Sequence, residues 1–223
     1  MKKPVAILLS GGLDSTSLMA LAASEENPRL AISVDYGQRH LRELDAAAAV
    51  ASHYDVDHVV LDLTGWGALL SGSALTDRSV DVPLGRYDAS NMATTVVPNR
   101  NATFLMAAAG IAAAAGISEV WTAVHGGDHA LYPDCRPDFI EAASTAASLG
   151  TGGDVVIRAP FVEQTKADIV ATAHRLDAPL GLTWSCYKGD AAHCGECGTC
   201  EERRSAFREA GITDPTHYET SET

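Results

Sequence analysis

The stretch Ser10-Gly11-Gly12-Leu13-Asp14-Ser15-Thr16 lies between an apolar run over residues 5–9 and a helical pattern over 15–23, and it constrains the fold more than any other feature. A buried strand that ends in two glycines and runs straight into a helix turns its backbone N–H groups toward one spot. The helix dipole favours an anion there. Ser15 and Thr16 add hydroxyls, so the segment reads as a phosphate cradle. It lacks the lysine and the spacing of a Walker A loop, so γ-phosphate transfer is not implied. Asp14 would repel a bare phosphate, but it makes sense beside a nucleotide triphosphate if it helps to hold Mg²⁺. The plainer alternative is a glycine turn in which Asp14 or Ser15 caps the helix.

Four further apolar runs, over residues 30–34, 58–63, 120–124 and 155–157, alternate with alanine- and leucine-rich helical patterns over 15–23, 41–53, 101–115 and 138–149. Gly116 and Gly150 stand at helix ends, where glycine stops a helix well. Short strands alternating with helices predict an α/β fold with a doubly wound parallel sheet. A chain of 223 residues with 46% apolar content can build one compact core, with little left for a second module. Residues 72–99 have no clear period and are long for a structureless connection. They read as a functional loop or lid, against the option of a tolerated insertion. The tail from Asp214 onward is expected to fray.

Cys186, Cys194, Cys197 and Cys200 follow the spacing C-x7-C-x2-C-x2-C. Gly195 and Gly198 are expected to make tight turns that bring four thiolates to about 2.3 Å from one ion. Four thiolates close a tetrahedral shell and leave no open position, which predicts one structural Zn²⁺ per chain, with an iron–sulfur cluster as the rival. Loss of this site is expected to lower stability more than it alters chemistry. His193, next to Cys194, reads as a surface residue, with a substitute ligand as the alternative. Cys135 stands apart and is expected to pack as a small apolar group rather than act as a nucleophile.

The balance of 16 Lys+Arg against 29 Asp+Glu, a net charge of -13, opposes a phosphate backbone and disfavours long nucleic-acid partners. No apolar run approaches the length of a membrane span. No membrane partner is expected, and the chain reads as cytoplasmic. A homodimer is compatible with the sequence, which does not itself define an oligomeric state.

The phosphate-loop segment resembles the SGGxDS signature of the PP-loop (adenine nucleotide alpha hydrolase-like) ATP pyrophosphatases, in which ATP is cut between the α- and β-phosphates. Asp35-Tyr36-Gly37-Gln38-Arg39-His40, Val97-Pro98-Asn99-Arg100-Asn101, Tyr132-Pro133-Asp134-Cys135-Arg136, Thr165-Lys166 and the cysteine cluster are similar, in order, to segments of one PP-loop family. That family is 7-cyano-7-deazaguanine synthase of the queuosine pathway. The likeness runs from Leu9 to about Phe207. It departs at Leu13, where the family often has Gln or Met. It departs again at His125-Gly126-Gly127-Asp128-His129, which replaces an acidic segment.

The resemblance implies a ligase that converts a small acid, 7-carboxy-7-deazaguanine, and ammonia into the 7-cyano product, with two ATP used per nitrile. It divides the chain into a nucleotide- and substrate-binding part over 1–182 and a zinc segment over 183–223 packed on the same domain. Leu9, the Ser10 to Thr16 motif, Ser17, Leu18 and Met19 would hold ATP. Asp35, at the end of the second strand, is placed to touch ribose or adenine, or else to serve as a turn residue. Asp14, Ser15, Arg100 and Lys166 are the expected catalytic groups. Arg100 begins a helix, where the dipole opposes a cation, so a bound carboxylate or phosphate would explain it. Lys166 suits neutralisation of pyrophosphate. Tyr132, Asp134, Arg136 and Asp138 are the expected substrate contacts, a carboxylate being able to accept N1–H and the exocyclic amine of a guanine-like ring. Asp138 has helix capping as its alternative. Rival readings are a PP-loop tRNA thiolase, which the charge opposes, and a zinc-dependent interaction module without turnover.

Overall fold

Val5, Ala6 and Ile7 are fully buried because their strand, β1 (Pro4–Leu8), lies in the middle of a five-stranded parallel sheet of order β3-β2-β1-β4-β5. The computed structural model describes residues 2–77, 79–85, 93–130, 132–188 and 191–219. The other strands are β2 (Asn27–Asp35), β3 (Asp57–Asp62), β4 (Glu119–Trp121) and β5 (Val156–Arg158). Among the described residues the α-helices are α1 (Leu13–Glu25), α2 (Arg42–His53), the single turn α3 (Thr64–Gly67), α4 (Arg100–Ala114), α5 (Pro137–Gly150), α6 (Lys166–Arg175) and α7 (Gly198–Ala210).

Alternation along the strands decides which helices cover which face. Val5, Ile7 and Ala31 pack with Leu18 and Met19 of α1, Ala47 and Val50 of α2 and Ile169 of α6. Their neighbours Ala6, Ile32 and Val120 pack with Leu105 and Ala108 of α4 and Ile140 and Ala143 of α5. The sheet is therefore doubly wound as expected. The alanines let each helix backbone sit close to it.

Three local readings change. β4 ends at Trp121 instead of reaching residue 124, because beyond it the chain leaves the sheet and lines a cleft. α6 and α7 extend the predicted helix set, and α6 starts with a capping box in which Thr165 and Asp168 satisfy each other's backbone N–H groups. Gly198 is the first residue of α7 rather than a tight turn. Gly195, at φ +76°, does make the expected turn.

The tail reading is corrected as well. Arg203 of α7 is 1% exposed, and its Nε lies 3.1 and 3.2 Å from the two carboxylate oxygens of Asp214. Tyr218 Oη donates to the same carboxylate at 2.6 Å, and Glu219 N–H bonds to His193 O at 2.8 Å. Residues 214–219 are thus held in place by a buried cation that needs a counter-charge. Residues 220–223 lie outside the described residues.

Burial raises the Asp214 carboxyl, but Arg203, Tyr218 and Thr216 outweigh this and hold it below its ordinary range. Its contribution is therefore full above the ordinary carboxylate pKa and fades as pH falls through the depressed value. Asp214→Ala is expected to cost about 3 kcal/mol in urea unfolding at neutral pH. A loss below about 0.5 kcal/mol, the size of a surface change, would mean that the pair is not holding the tail.

The segment expected as a lid packs where it is described. Leu75 joins Val34, Tyr36 and Val97 in one cluster, Val82 lies against the four cysteines, and Gly85 N–H bonds to Glu196 O at 2.8 Å. Residues 78 and 86–92 lie outside the described residues.

Candidate active site

The strand order reverses beside β1, since the chain passes from β3 on one side to β4 on the other. A crevice opens at the carboxyl ends of strands at such a switch point. Here it is a cavity of about 280 Å³ lined at one end by Leu9, Ser10, Gly12, Leu13, Asp14 and Ser15. Ser10 Oγ and Ser15 Oγ lie 3.1 Å apart, and Gly12 N–H bonds to Ser10 Oγ at 3.3 Å, which fixes the loop from within. Gly11, at φ +80°, does not line the cavity. A Cβ there would stand 2.2 Å from Glu43 O and 2.5 Å from Ala47 N. Its task is to let α2 approach the loop. Thr16, Ser17, Leu18 and Met19 lie on buried turns of α1 behind the loop.

Opposite the loop sits a cluster of charge drawn from four separate segments. Lys166 Nζ at the start of α6 pairs with Glu202 of α7 and lies 3.4 Å from Asp14 Oδ2. His125 Nε2 lies 3.8 Å from Asp14 Oδ2 and 3.6 Å from Asp128 Oδ2. Burial would lower the Lys166 pKa, but Asp14, Glu202 and Asp128 outweigh it and push it well above the ordinary lysine range. Burial also raises the Asp128 carboxyl, against the pull of His125 and Lys166. With Lys166 charged, three carboxylates still exceed the local positive charge, so the cluster favours a further cation. Asp14 Oδ1 is buried without a hydrogen-bond partner among the described residues, as a carboxylate meant for a divalent ion would be.

Toward the other end, Arg100 at the first position of α4 bonds to Tyr36 Oη at 3.3 Å and lies over its ring. It forms no ion pair among the described residues. Burial pushes the Tyr36 phenol up to about 12, so it stays neutral, accepts the Arg100 N–H and leaves the guanidinium charge available. Phe104, Tyr132 and Tyr187 line the same region, and Tyr132 Oη lies 2.8 Å from Thr95 Oγ1.

Other expected site residues lie outside the cavity lining. Asp35 accepts the Gly37 N–H at 2.9 Å in a turn. Asp134 accepts the Asn101 N–H at 2.9 Å and so caps the start of α4 from a different segment. The Arg136 Nε–H reaches His129 O, and Asp138 Oδ1 accepts the Phe139 N–H. Cys135, by contrast, does line the cavity; it is buried, and burial pushes its thiol far up, so it stays protonated. Sequence reasoning missed the convergence of His125, Asp128 and Glu202 on Asp14. The one available signal was the HGGD segment.

The four clustered cysteines converge, all buried. Cys194 and Cys200 Sγ lie 4.0 Å apart, and Cys197 and Cys200 Sγ 3.5 Å apart. These values bracket about 3.8 Å, the edge of a tetrahedron with metal–sulfur bonds of about 2.3 Å. N–H groups of Glu196 and Cys197 point at Cys194 Sγ at 3.4 and 3.3 Å, which stabilises thiolate charge. His193 is buried rather than on the surface, and its Nε2 accepts the Ser185 N–H at 3.0 Å. The cysteine segment also reaches the cavity. Trp184 N–H bonds to Gly11 O at 2.9 Å, and Trp184, Tyr187, Thr199 and Glu202 line it.

No helix among the described residues is long and apolar enough to cross a membrane. The sequence matches the family described as "Queuosine biosynthesis protein QueC" over residues 4–211. A 7-cyano-7-deazaguanine synthase of Rhizobium meliloti (strain 1021) is 54% identical over 215 residues, covering 96% of this chain and 91% of that relative. Another protein of that name, from Brucella anthropi, is 51% identical over 218 residues, covering 97% and 94%. Among solved structures, an NMN synthetase from Francisella tularensis aligns with a TM-score of 0.50 at 16% identity, covering 95% of this chain and 74% of that one. That likeness is one of fold alone. With its family match spanning nearly the whole sequence and its relatives more than half identical, this chain belongs to the QueC family of queuosine biosynthesis proteins.

Proposed function

We propose that the chain is a 7-cyano-7-deazaguanine synthase, joining ammonia to 7-carboxy-7-deazaguanine at the expense of ATP. The observation that carries this reading is one cavity with the glycine-rich loop and Lys166 at one end and Arg100, without an ion pair among the described residues, at the other. The relatives' shared name supplies the substrate class.

A carboxylate is a poor electrophile. In the proposed reaction its oxygen bonds to the α-phosphorus of ATP and pyrophosphate leaves. Ammonia then adds to the activated carbon, the C–O bond to AMP breaks, and a proton is lost to give the amide. Repeating adenylation at the amide oxygen, followed by loss of AMP and a proton, gives the nitrile. Arg100 orients the acid by a charge-assisted bond. Ser10, Gly12 and Ser15 hold the phosphates, and Lys166 neutralises the leaving pyrophosphate. Mg²⁺ fits beside Asp14, whose Oδ1 lacks a partner, and would shield charge on the phosphates. Zinc fits the four thiols, given their spacing. Glutamine is not the nitrogen source in this reading, because the buried Cys135, held as a thiol, is no glutaminase nucleophile and the other four cysteines belong to the metal site.

The test is product analysis with ATP, Mg²⁺, ammonium and the carboxy-deazaguanine. AMP, pyrophosphate and the nitrile are expected in a ratio of about two AMP per nitrile, only when the acid is present. ADP and phosphate as products would refute the reading, and equal turnover with glutamine would refute the nitrogen donor.

A further inference from the structure

The His125-Gly126-Gly127-Asp128 turn lines the cavity through His125 and Asp128, and nothing above gives His125 a task. Its geometry is specific. The residue is 1% exposed, and its Nδ1 accepts the Gly127 N–H at 3.1 Å. That commits a lone pair at Nδ1 and puts the proton of the neutral ring on Nε2. Gly127 permits the arrangement, since a Cβ there would stand 3.0 Å from Cε1 and 3.1 Å from Nδ1 of the same ring. Nε2 faces the cavity, and the nearest acceptors, Asp128 Oδ2 at 3.6 Å and Asp14 Oδ2 at 3.8 Å, are beyond hydrogen-bond reach. With both carboxylates too far to accept it, the Nε2–H has no hydrogen bond to the protein among the described residues and is left to whatever fills the cavity.

Two occupants compete for this spot. His125, Asp128 and Glu202 are close enough to share a metal ion. A ligating imidazole, however, binds metal through one nitrogen and donates the N–H of the other. Here the other nitrogen is an acceptor, so Nε2 carries the proton and has no lone pair to offer. An anionic oxygen fits instead. Lys166 Nζ lies 3.4 Å from the same Asp14 oxygen, and the phosphate cradle forms the adjoining wall, so the phosphate chain of a nucleotide belongs at this end.

We propose that His125 is a catalytic residue that donates its Nε2–H to an anionic oxygen of the nucleotide phosphate chain while the bond between α-phosphate and pyrophosphate breaks. The inference rests on the adenylating reading given above. In that step the substrate oxygen bonds to the α-phosphorus and the bridging oxygen leaves with the bonding pair. His125 keeps its proton and stabilises the charge that develops. Gly127 and the backbone turn hold the ring and its tautomer.

Three variants of the metal-loaded full chain test this, with AMP release and ¹⁵N NMR as readouts. H125F is expected to lower kcat about 10²–10³-fold, with the KM for ATP changed by less than about threefold. H125Q, whose amide can again donate, should recover part of the loss. Wild-type protein should show one histidine, absent from the H125Q spectrum, fixed as the Nε2–H tautomer, and G127A should lose both that signature and the rate. If H125F does not fold, H125Q, G127A and the tautomer decide the matter. Wild-type AMP release beside an H125F kcat within about threefold of it overturns this inference alone, as does an Nδ1–H tautomer. A Mn²⁺ EPR signal broadened by nucleotide-free wild type and restored by H125F would also overturn it, in favour of metal ligation. Absence of AMP from wild type would instead overturn the proposed function, and this inference with it.

Discussion

Lys166→Met is expected to lower kcat/KM for AMP formation by about 10³-fold or more, as befits loss of a buried charge from a transition-state contact. Lys166 Nζ is the cation that Asp14, Glu202 and Asp128 share. At an effective dielectric constant near 20, each close pair is worth on the order of 4 kcal/mol. Methionine keeps the volume and removes the charge, so three carboxylates are left facing the phosphate cradle. The incoming phosphate chain would then lose the cation that offsets part of that negative charge and meet stronger repulsion. Because the folded Lys166 pKa lies above the ordinary lysine value, the stabilisation it contributes is complete at neutral pH. It is lost only as pH rises through that elevated value. The wild-type rate near neutrality is therefore not governed by Lys166 titration, and the defect of Lys166→Met should persist from about pH 6 to 9. A rate within about tenfold of wild type would remove Lys166 from the mechanism.

Chelation of the metal, or Cys197→Ser, is expected to abolish both cooperative folding of the C-terminal segment and turnover. Binding of zinc by four thiolates supplies roughly 10–16 kcal/mol in small peptides, comparable with the whole stability of a domain. Cys197 precedes α7, and the same helix carries Arg203 to Asp214 and Glu202 to Lys166. The structure therefore alters the expectation that chemistry would be spared. A loosened α7 frees Lys166, and a loosened Trp184 releases the backbone of the phosphate loop. Elemental analysis should find one zinc per chain in colourless protein, and thermal unfolding with and without chelator measures the effect. A brown protein with an iron–sulfur absorption band would overturn the choice of metal. Full activity after complete metal removal would overturn the link between the two sites.

What could be read along the chain was whatever neighbours in sequence decide. Apolar runs and alanine-rich periods located the five strands and four of the helices, because burial on a sheet face imposes a spacing of two and on a helix a spacing near four. The glycine turn between β1 and α1 and the convergence of the four cysteines were legible because each packs its signal into fewer than sixteen residues. Local reading expected Gly11 to permit a tight turn, which its φ of +80° bears out, but did not show that the missing Cβ also makes room for α2. It sent the tail into solvent when Arg203 holds it, and it placed His193 on the surface when its ring is buried.

Tertiary structure alone decided the composition of the charged cluster. Asp14, His125, Asp128, Lys166 and Glu202 come from α1, the segment after β4, the start of α6 and α7, and no periodicity links positions so far apart. They meet because the parallel sheet reverses its order beside β1, and because α7, beside the converging cysteines, brings Glu202 to Lys166 at that opening. Whether a carboxylate acts on a ligand or caps a helix likewise depends on what folds against it. Asp134 spends its oxygen on the α4 backbone, whereas Asp14 keeps one oxygen free. The sequence by itself determined the elements and their local chemistry. Which side chains share one low-dielectric cavity was decided by long-range packing, since a charge interaction depends on distance through space and not along the chain.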